Sequence, residues 1–150
     1  MFAERQGNLL NAPVRAYVNA VNCCAVMGKG LALDFKKRYP AMFLDYEKAC
    51  REKKLRPGQL HTWQESDGSW IINFPTKDHW KSPSKLEYID AALPVLVEFV
   101  QFNAIESIAI PALGCGLGGL DWRLVKPRIE KAFDAIPQGS VDVWLFGPQG

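Results

Sequence analysis

AYVNAVNCCAVMGKG, residues 16–30, and SIAIPALGCGLGGLDW, residues 107–122, are the two stretches that decide the fold. Each begins with a short apolar run without regular polar alternation, which is typical of a strand buried on both faces of a sheet. A loop rich in glycine follows each run directly. Because ligands bind beyond the carboxyl ends of the strands in open α/β sheets, both loops are expected at one binding edge.

The glycines of these loops point to a phosphate ligand. Glycine adopts positive φ angles at little cost and lets backbone N–H groups approach a bound oxyanion. A helix predicted to begin at Leu31 adds the positive end of its dipole beside the first loop. One such loop alone would indicate only a tight connection. Two of them, each after a buried strand, favour binding of a diphosphate between them.

The rest of the chain alternates between helical and strand patterns. Helices are predicted from Leu31 to Tyr39, from Pro40 to the Pro57-Gly58 stop, from a capping box at Ser84 and Glu87 through Val100, and over residues 127–133. Strands are predicted over residues 60–63 and 70–74, as a hairpin around Asp67-Gly68, and over residues 141–146. Pro94 is expected to kink or split its helix. This alternation predicts a mostly parallel or mixed sheet with helices on both faces.

Composition sets the broad class of protein. The chain has 150 residues, 48% of them hydrophobic and 23% charged, which suits a single domain over residues 1–150. The chain contains no run of about eighteen apolar residues, and its first ten residues include Glu4, Arg5 and Gln6, so neither a membrane span nor a signal peptide is predicted. A cytoplasmic protein is expected, with a monomer as the default. The net charge of +2 neither establishes nor excludes binding to nucleic acid.

The cysteines and the glycine spacing exclude two common classes of site. Cys23, Cys24, Cys50 and Cys115 form no C-x-x-C pair, so reduced thiols and no metal site are predicted. Gly114, Gly116 and Gly119 match G-x-G-x-x-G, but they lie near the end of the chain without an acidic residue closing the next strand. An NAD-dependent oxidoreductase is therefore disfavoured, and no cofactor is predicted.

Five short motifs, taken in order, resemble the macrodomain family. They are GNLL at residues 7–10, VNAVN at 18–22, MGKGLA at 27–32, NFPTK at 73–77 and IPALGCGLGGLDW at 110–122. Within that family the chain is most similar to the macrodomains of DarG antitoxins. The resemblance implies a three-layer α/β/α sandwich with a mixed central sheet and ADP-ribose at the carboxyl edge of that sheet. It also implies removal of ADP-ribose from thymidine in single-stranded DNA and a DarT-type toxin as partner.

The same resemblance implies the residues of the site. Asn8 would contact the adenine, Asn22 the distal ribose, and the two glycine loops the diphosphate and distal ribose, while Phe146 would pack near the adenine. The implied ADP-ribose contacts are Asn8, Leu9, Asn22, Met27, Gly28, Lys29, Gly30, Leu31, Thr76, Pro111, Leu113, Gly114, Cys115, Gly116, Leu117, Gly118 and Phe146.

Lys77 matches the catalytic lysine of DarG-like macrodomains, although composition alone would make it an ordinary surface lysine. Its amine would attack the ribose C1″ if neutral, or its ammonium would orient or protonate groups there. Asp121 is predicted to cap a helix. Trp80 and Lys81 suit either a platform for base stacking or a tryptophan tucked under the following helix.

Three other functions fit the same pocket. They are an ADP-ribose-1″-phosphate phosphatase, a protein ADP-ribosyl hydrolase and a reader that binds ADP-ribose without hydrolysing it. The sequence does not decide which group carries the ADP-ribose, nor whether the chain is a piece of a longer antitoxin.

Overall fold

The computed structural model describes residues 1–148 and contains one sheet flanked by helices. The strands are β1 (Phe2–Arg5), β2 (Ala16–Val21), β3 (His61–Gln64), β4 (Trp70–Pro75), β5 (Ser107–Pro111) and β6 (Asp142–Phe146). The helices are α1 (Gly30–Arg38), α2 (Pro40–Arg51), α3 (Leu86–Phe102) and α4 (Trp122–Phe133), with short 3₁₀ turns at Leu9–Asn11 and Gly116–Gly118. The single domain predicted for residues 1–150 includes Gln149 and Gly150, which lie outside the described residues.

The sheet is mixed and has the order β1-β6-β5-β2-β4-β3. Every neighbouring pair is parallel except β3 and β4, which form the antiparallel hairpin predicted around Asp67-Gly68. The loops after β2, β4, β5 and β6 therefore all begin at the same edge of the sheet. This arrangement confirms the prediction that both glycine loops share one edge.

Helices cover both faces of the sheet and complete the predicted three-layer α/β/α sandwich. Ile72 and Phe74 of β4 pack against α3 and α4, whereas Ile71, which precedes them in the strand, packs against α1 and α2. The strand alternates in this way because successive side chains point to opposite faces. Since both faces are buried, the strand sequence is apolar at nearly every position, as the sequence indicated.

Strand β1 was not predicted from the sequence. Phe2–Arg5 is a short edge strand that is only half covered, so it lacks the continuous apolar run that marks the inner strands. It pairs in parallel with β6, from Phe2 beside Val143 to Arg5 beside Phe146. The pairing directs the following residues, Gln6 to Asn8, toward the edge that carries the glycine loops.

The predicted start of the last helix was wrong. The helix predicted to begin at residue 127 begins at Trp122, capped by Asp121, whose side chain accepts from Arg123 N at 2.9 Å as predicted for that residue. Pro127 therefore lies inside α4, and Pro94 lies inside α3, which is not split. Both prolines are on exposed faces, where water can bind the carbonyl groups that a proline leaves without a donor.

The capping box at Ser84 was also wrong. The residue that precedes α3 is Lys85, which makes no side-chain capping bond. The Ser84 hydroxyl is turned away from the helix and donates to Thr76 Oγ1 at 3.1 Å. No helix within residues 1–148 is both long enough and apolar enough to cross a bilayer.

Candidate functional site: a cavity at the carboxyl edge of the sheet

A cavity of about 1170 Å³ opens at the carboxyl edge of the sheet, between the loops that follow β2, β4, β5 and β6. It is large enough for a dinucleotide-sized ligand. Sixteen of the eighteen predicted site residues line it: Asn8, Leu9, Asn22, Gly28, Lys29, Gly30, Leu31, Thr76, Lys77, Pro111, Gly114, Cys115, Gly116, Leu117, Gly118 and Phe146. Segments that are far apart in sequence therefore share one surface.

Met27 and Leu113, two of the predicted ADP-ribose contacts, do not line the cavity. Both side chains are buried in the two core layers beneath the loops. Met27 also accepts a long hydrogen bond, 3.7 Å, from the amide of Asn19 in β2. An apolar residue in a polar loop here anchors the loop to the core rather than facing the ligand.

The first loop, residues 22–29, is shaped by the side chain of Asn22. Its Oδ1 accepts from the backbone N–H groups of Cys24 at 3.1 Å and Val26 at 3.3 Å, and its Nδ2 donates to Val26 O at 2.8 Å. The buried hydroxyl of Tyr46 donates to Asn22 O at 2.7 Å, with Oδ1 3.0 Å away. Asn22 therefore holds its own loop in place and is anchored by α2 from below.

The first loop leads into α1, whose first turn faces the cavity. Lys29 precedes the helix and makes no side-chain capping bond. Gly30, Leu31 and Ala32 all line the cavity. Because the first N–H groups of a helix have no partner within it, this turn offers donors and a partial positive charge to an anionic ligand.

The second loop, residues 112–121, is compact because its glycines adopt conformations that other residues avoid. Gly114 has a φ of 74° and Gly116 a φ of 67°, both in the left-handed region. The 3₁₀ turn Gly116–Gly118 lies between Gly114 and Gly119, and Leu117 is exposed at its tip. The loop thus presents its backbone to the cavity.

Ser84 joins the second loop to the segment that carries Lys77. Its backbone N–H donates to Gly118 O at 3.0 Å, and its hydroxyl donates to Thr76 Oγ1. A Cβ added at Gly118 would collide with the Ser84 hydroxyl oxygen and lie 3.0 Å from its Cβ. Ser84 is therefore a site residue that the sequence analysis assigned to a helix cap, and nothing local in the sequence distinguishes the two roles.

Lys77 lies in a turn that is tied to the first glycine loop. Its Nζ donates to Trp80 O at 3.2 Å within the turn. Cys23 N donates to Asp78 O at 2.9 Å, and Trp80 N donates to Cys24 Sγ at 3.4 Å. Hydrogen bonds therefore join the turn and the loop at the rim of the cavity.

The charges around the cavity are mainly positive. Lys29, Lys77 and Lys81 line it, and Asp34 is the one acidic residue among the lining residues that the structure describes. Such a surface favours an anionic ligand. Within residues 1–148 no group of three or more His, Cys, Asp or Glu side chains is placed to hold a metal ion.

The other end of the cavity is formed by Asn8, Leu9 and Phe146. Asn8 Oδ1 accepts from Leu10 N at 3.0 Å and so caps the turn Leu9–Asn11. Phe146 is the last residue of β6 and is largely buried. Both residues line the cavity, and their contacts with an adenine remain a prediction.

Burial governs the acidity of the thiol groups near the site. Burial, with Asp121 as a smaller cause, raises the pKa of Cys115 to about 11. Burial is also the main reason that the pKa of Cys23 is raised to about 12. Both groups are therefore neutral thiols near pH 7 and poor nucleophiles.

The fold and the cavity define the class of protein. The family model of the Macro domain matches residues 18–129. The chain belongs to the macrodomain family.

Three matches show which macrodomains the chain is similar to. It is 48% identical over 153 residues to a DNA ADP-ribosyl glycohydrolase of Mycobacterium tuberculosis, covering 100% of this chain and 43% of that protein. The solved macrodomain of Mycobacterium tuberculosis DarG superposes with a TM-score of 0.95 and 47% identity, over 99% of each chain. Thermosipho africanus DarTG in complex with ADP-ribose superposes with a TM-score of 0.85 and 31% identity, over 95% of this chain and 40% of that chain. The chain thus spans less than half the length of the DNA ADP-ribosyl glycohydrolases of Mycobacterium tuberculosis and Thermus aquaticus that it matches.

Replacing Tyr46 with Phe tests the anchor beneath the first loop. The change leaves the buried carbonyl of Asn22 without its donor, so we expect the free energy of unfolding to fall by about 1–3 kcal/mol. Urea denaturation measures this loss, and hydrogen exchange should show faster opening of residues 22–29. Tyr39→Phe is the control, because within the described residues the hydroxyl of Tyr39 has no hydrogen-bond partner. Equal stability of the two variants would contradict the assignment.

Replacing Gly118 with Ala tests the contact with Ser84. The added Cβ meets the serine side chain, so a destabilisation of about 1–3 kcal/mol is expected from overpacking. Combining the change with Ser84→Gly should restore part of this loss, and a double-mutant cycle measures the coupling. Gly28→Ala is the matched control, since its added Cβ would have only an ordinary contact with Val26 at 3.5 Å. Additive losses would show that the two residues do not touch.

The raised pKa of Cys115 predicts a slow reaction with iodoacetamide. At pH 8 a thiol with a pKa of about 11 is ionised in roughly one molecule in a thousand. The labelling rate of Cys115, followed by mass spectrometry of its peptide, should rise about tenfold per pH unit from pH 8 to 10. The unfolded chain serves as the reference and should level off near the ordinary cysteine pKa. A plateau below pH 9 in the folded chain would be inconsistent with a buried thiol.

Proposed function

We propose that this chain binds ADP-ribose in the cavity and releases it from thymidine bases of single-stranded DNA. The observation that carries the proposal is a lysine at the rim of a cavity formed by two glycine loops. It occurs in a chain 48% identical over its full length to a DNA ADP-ribosyl glycohydrolase. The enzyme class is a hydrolase of N-glycosidic bonds.

The cavity suits each part of ADP-ribose. The first turn of α1 and the loop at Gly114 to Gly118 offer backbone N–H groups on two sides, which is the environment that a diphosphate needs. Asn8 and Phe146 form the end proposed for the adenine. Asn22 and Lys77 lie at the end proposed for the distal ribose.

Lys77 is the proposed catalytic residue, and two roles fit its position. As a neutral amine it attacks the ribose C1″, the bond from C1″ to the base nitrogen breaks, and the base takes up a proton. Water then hydrolyses the bond between the lysine nitrogen and C1″. As an ammonium it donates a proton to the departing base while water attacks C1″. In either case one water is consumed, and ADP-ribose and an unmodified base result.

The partner and the location belong to the same proposal. A DarT-type toxin is the proposed source of the modified DNA, because the related Thermosipho africanus protein is a DarTG fusion described with ADP-ribose. A cytoplasmic location is proposed with it, because the similar DNA ADP-ribosyl glycohydrolases are bacterial proteins. A monomer stays the working assumption for this macrodomain.

Replacing Lys77 with Ala tests the catalytic assignment. We expect release of ADP-ribose from an oligonucleotide carrying ADP-ribosylated thymidine to slow by about 10²–10⁴-fold, while calorimetry shows the affinity for free ADP-ribose changed by only a few fold. Lys85→Ala is the control, because Lys85 is an exposed lysine nearby that does not line the cavity. Turnover that survives in Lys77→Ala would remove Lys77 from the mechanism.

Two further measurements separate the roles and the alternative functions. If the amine attacks C1″, opening of the ribose ring gives an imine, and reduction with cyanoborohydride during turnover should attach ADP-ribose to Lys77 faster than free ADP-ribose does with the same reductant. ADP-ribose-1″-phosphate and an ADP-ribosylated protein serve as competing substrates. Tight binding of ADP-ribose without turnover of any of the three would indicate a reader module instead.

A further inference from the structure

Trp80 is a large aromatic residue that the fold leaves exposed at the rim of the cavity. Its exposed fraction is 47%, and it lines the cavity together with Lys77 and Lys81. It is absent from both core layers, so it is not tucked under α3. Single exposed aromatic residues are common on protein surfaces, and Trp80 is distinguished by its place at the cavity beside two lysines.

We propose that the Trp80 ring is a platform on which a base of the substrate strand stacks, and that Lys81 contacts a phosphate of the same strand. This inference rests on the proposed function and adds the residues that recognise the nucleic-acid side of the substrate. Trp80 is thus a specificity-determining residue, separate from those that hold ADP-ribose.

The position of Trp80 relative to Lys77 supports this role. The two residues are three apart in one turn, and the amine of Lys77 lies 3.2 Å from the carbonyl oxygen of Trp80. Because both side chains also line the cavity, a base stacked on the ring lies in the same part of the site as the amine proposed to act on the glycosidic bond. Free ADP-ribose carries no base on its distal ribose, so only the conjugated substrate uses this contact.

The turn is also held rigidly enough to orient a base. Its backbone is bonded to the first glycine loop at two points, Cys23 N to Asp78 O and Trp80 N to Cys24 Sγ. A platform that is fixed before binding loses little conformational entropy when a base stacks on it. The same bonds keep the ring and the ADP-ribose loop in constant relative position.

The surroundings of the ring match a single strand of nucleic acid. The ammonium of Lys81 lies over the Trp80 ring, 5.1 Å from its centroid, so a base that stacks on this face displaces the ammonium toward a phosphate of the same strand. The imidazole of His79 is stacked against the ring, with centroids 5.9 Å apart and an interplanar angle of 24°. Leu117, 80% exposed, lines the same cavity from the second loop and adds apolar surface. Aromatic rings next to cations are the usual elements of single-strand binding.

The test measures two affinities in the Lys77→Ala background, in which turnover is blocked. One ligand is free ADP-ribose, measured by calorimetry, and the other is a fluorescent oligonucleotide with one ADP-ribosylated thymidine, measured by anisotropy. Trp80→Ala should weaken oligonucleotide binding by about 5- to 150-fold, and by at least fivefold more than it weakens ADP-ribose binding. Trp80→Phe should restore most of the loss. Lys81→Gln should make the salt dependence shallower by about one phosphate contact.

Phe102→Ala is the matched control, because Phe102 is an exposed aromatic, 87% accessible, at the end of α3 and the opposite edge of the sheet. It should leave both affinities unchanged. Equal losses for both ligands in Trp80→Ala, or no loss for the oligonucleotide, would overturn the proposal. The chain with Lys77 intact separates the two hypotheses. If it releases no ADP-ribose but Trp80→Ala still weakens oligonucleotide binding selectively, the proposed function fails and the platform stands.

Discussion

The direction and register of the strands are the constraint on which the site depends. Val21 at the end of β2 lies beside Pro75 at the end of β4, and Pro111 at the end of β5 lies beside Phe146 at the end of β6. Because these strands are parallel and neighbouring strands end level with one another, the loops that follow them start from one edge. The cavity therefore lies where these loops leave the level ends of the parallel strands.

The loops keep their shape because buried polar groups are paired across elements. The first loop is tied to α2 through Asn22 and Tyr46, and the second is tied to the lysine segment through Ser84 and Gly118. A buried polar group without a partner costs more than its hydrogen bond contributes, so these pairings specify one arrangement of the loops. The Lys77 turn is bonded to one glycine loop directly and to the other through Ser84, so movement of either loop would carry the lysine with it.

The parts of the fold that the sequence predicted are those that depend on local pattern. Apolar runs marked the inner strands, Asp67-Gly68 marked the hairpin, and Asp121 marked a helix start. The residues that it misplaced depend on distant contacts. Ser84 has the spacing of a capping box, but its hydroxyl finds a better partner in Thr76, which reaches it only once β4 is in the sheet. Met27 lies among predicted ligand contacts, yet its side chain is drawn into the core.

The net charge of the whole chain differs from the charge around the cavity. A net charge of +2 is uninformative about ligands, because basic and acidic residues almost cancel over the chain. Around the cavity they do not cancel, because the described lining residues include three lysines and one aspartate. Field lines from these lysines are concentrated in a cleft with apolar walls, where water screens them less than on an open surface. The attraction of an anionic ligand therefore comes from where the sheet edge places Lys29, Lys77 and Lys81, and not from their number.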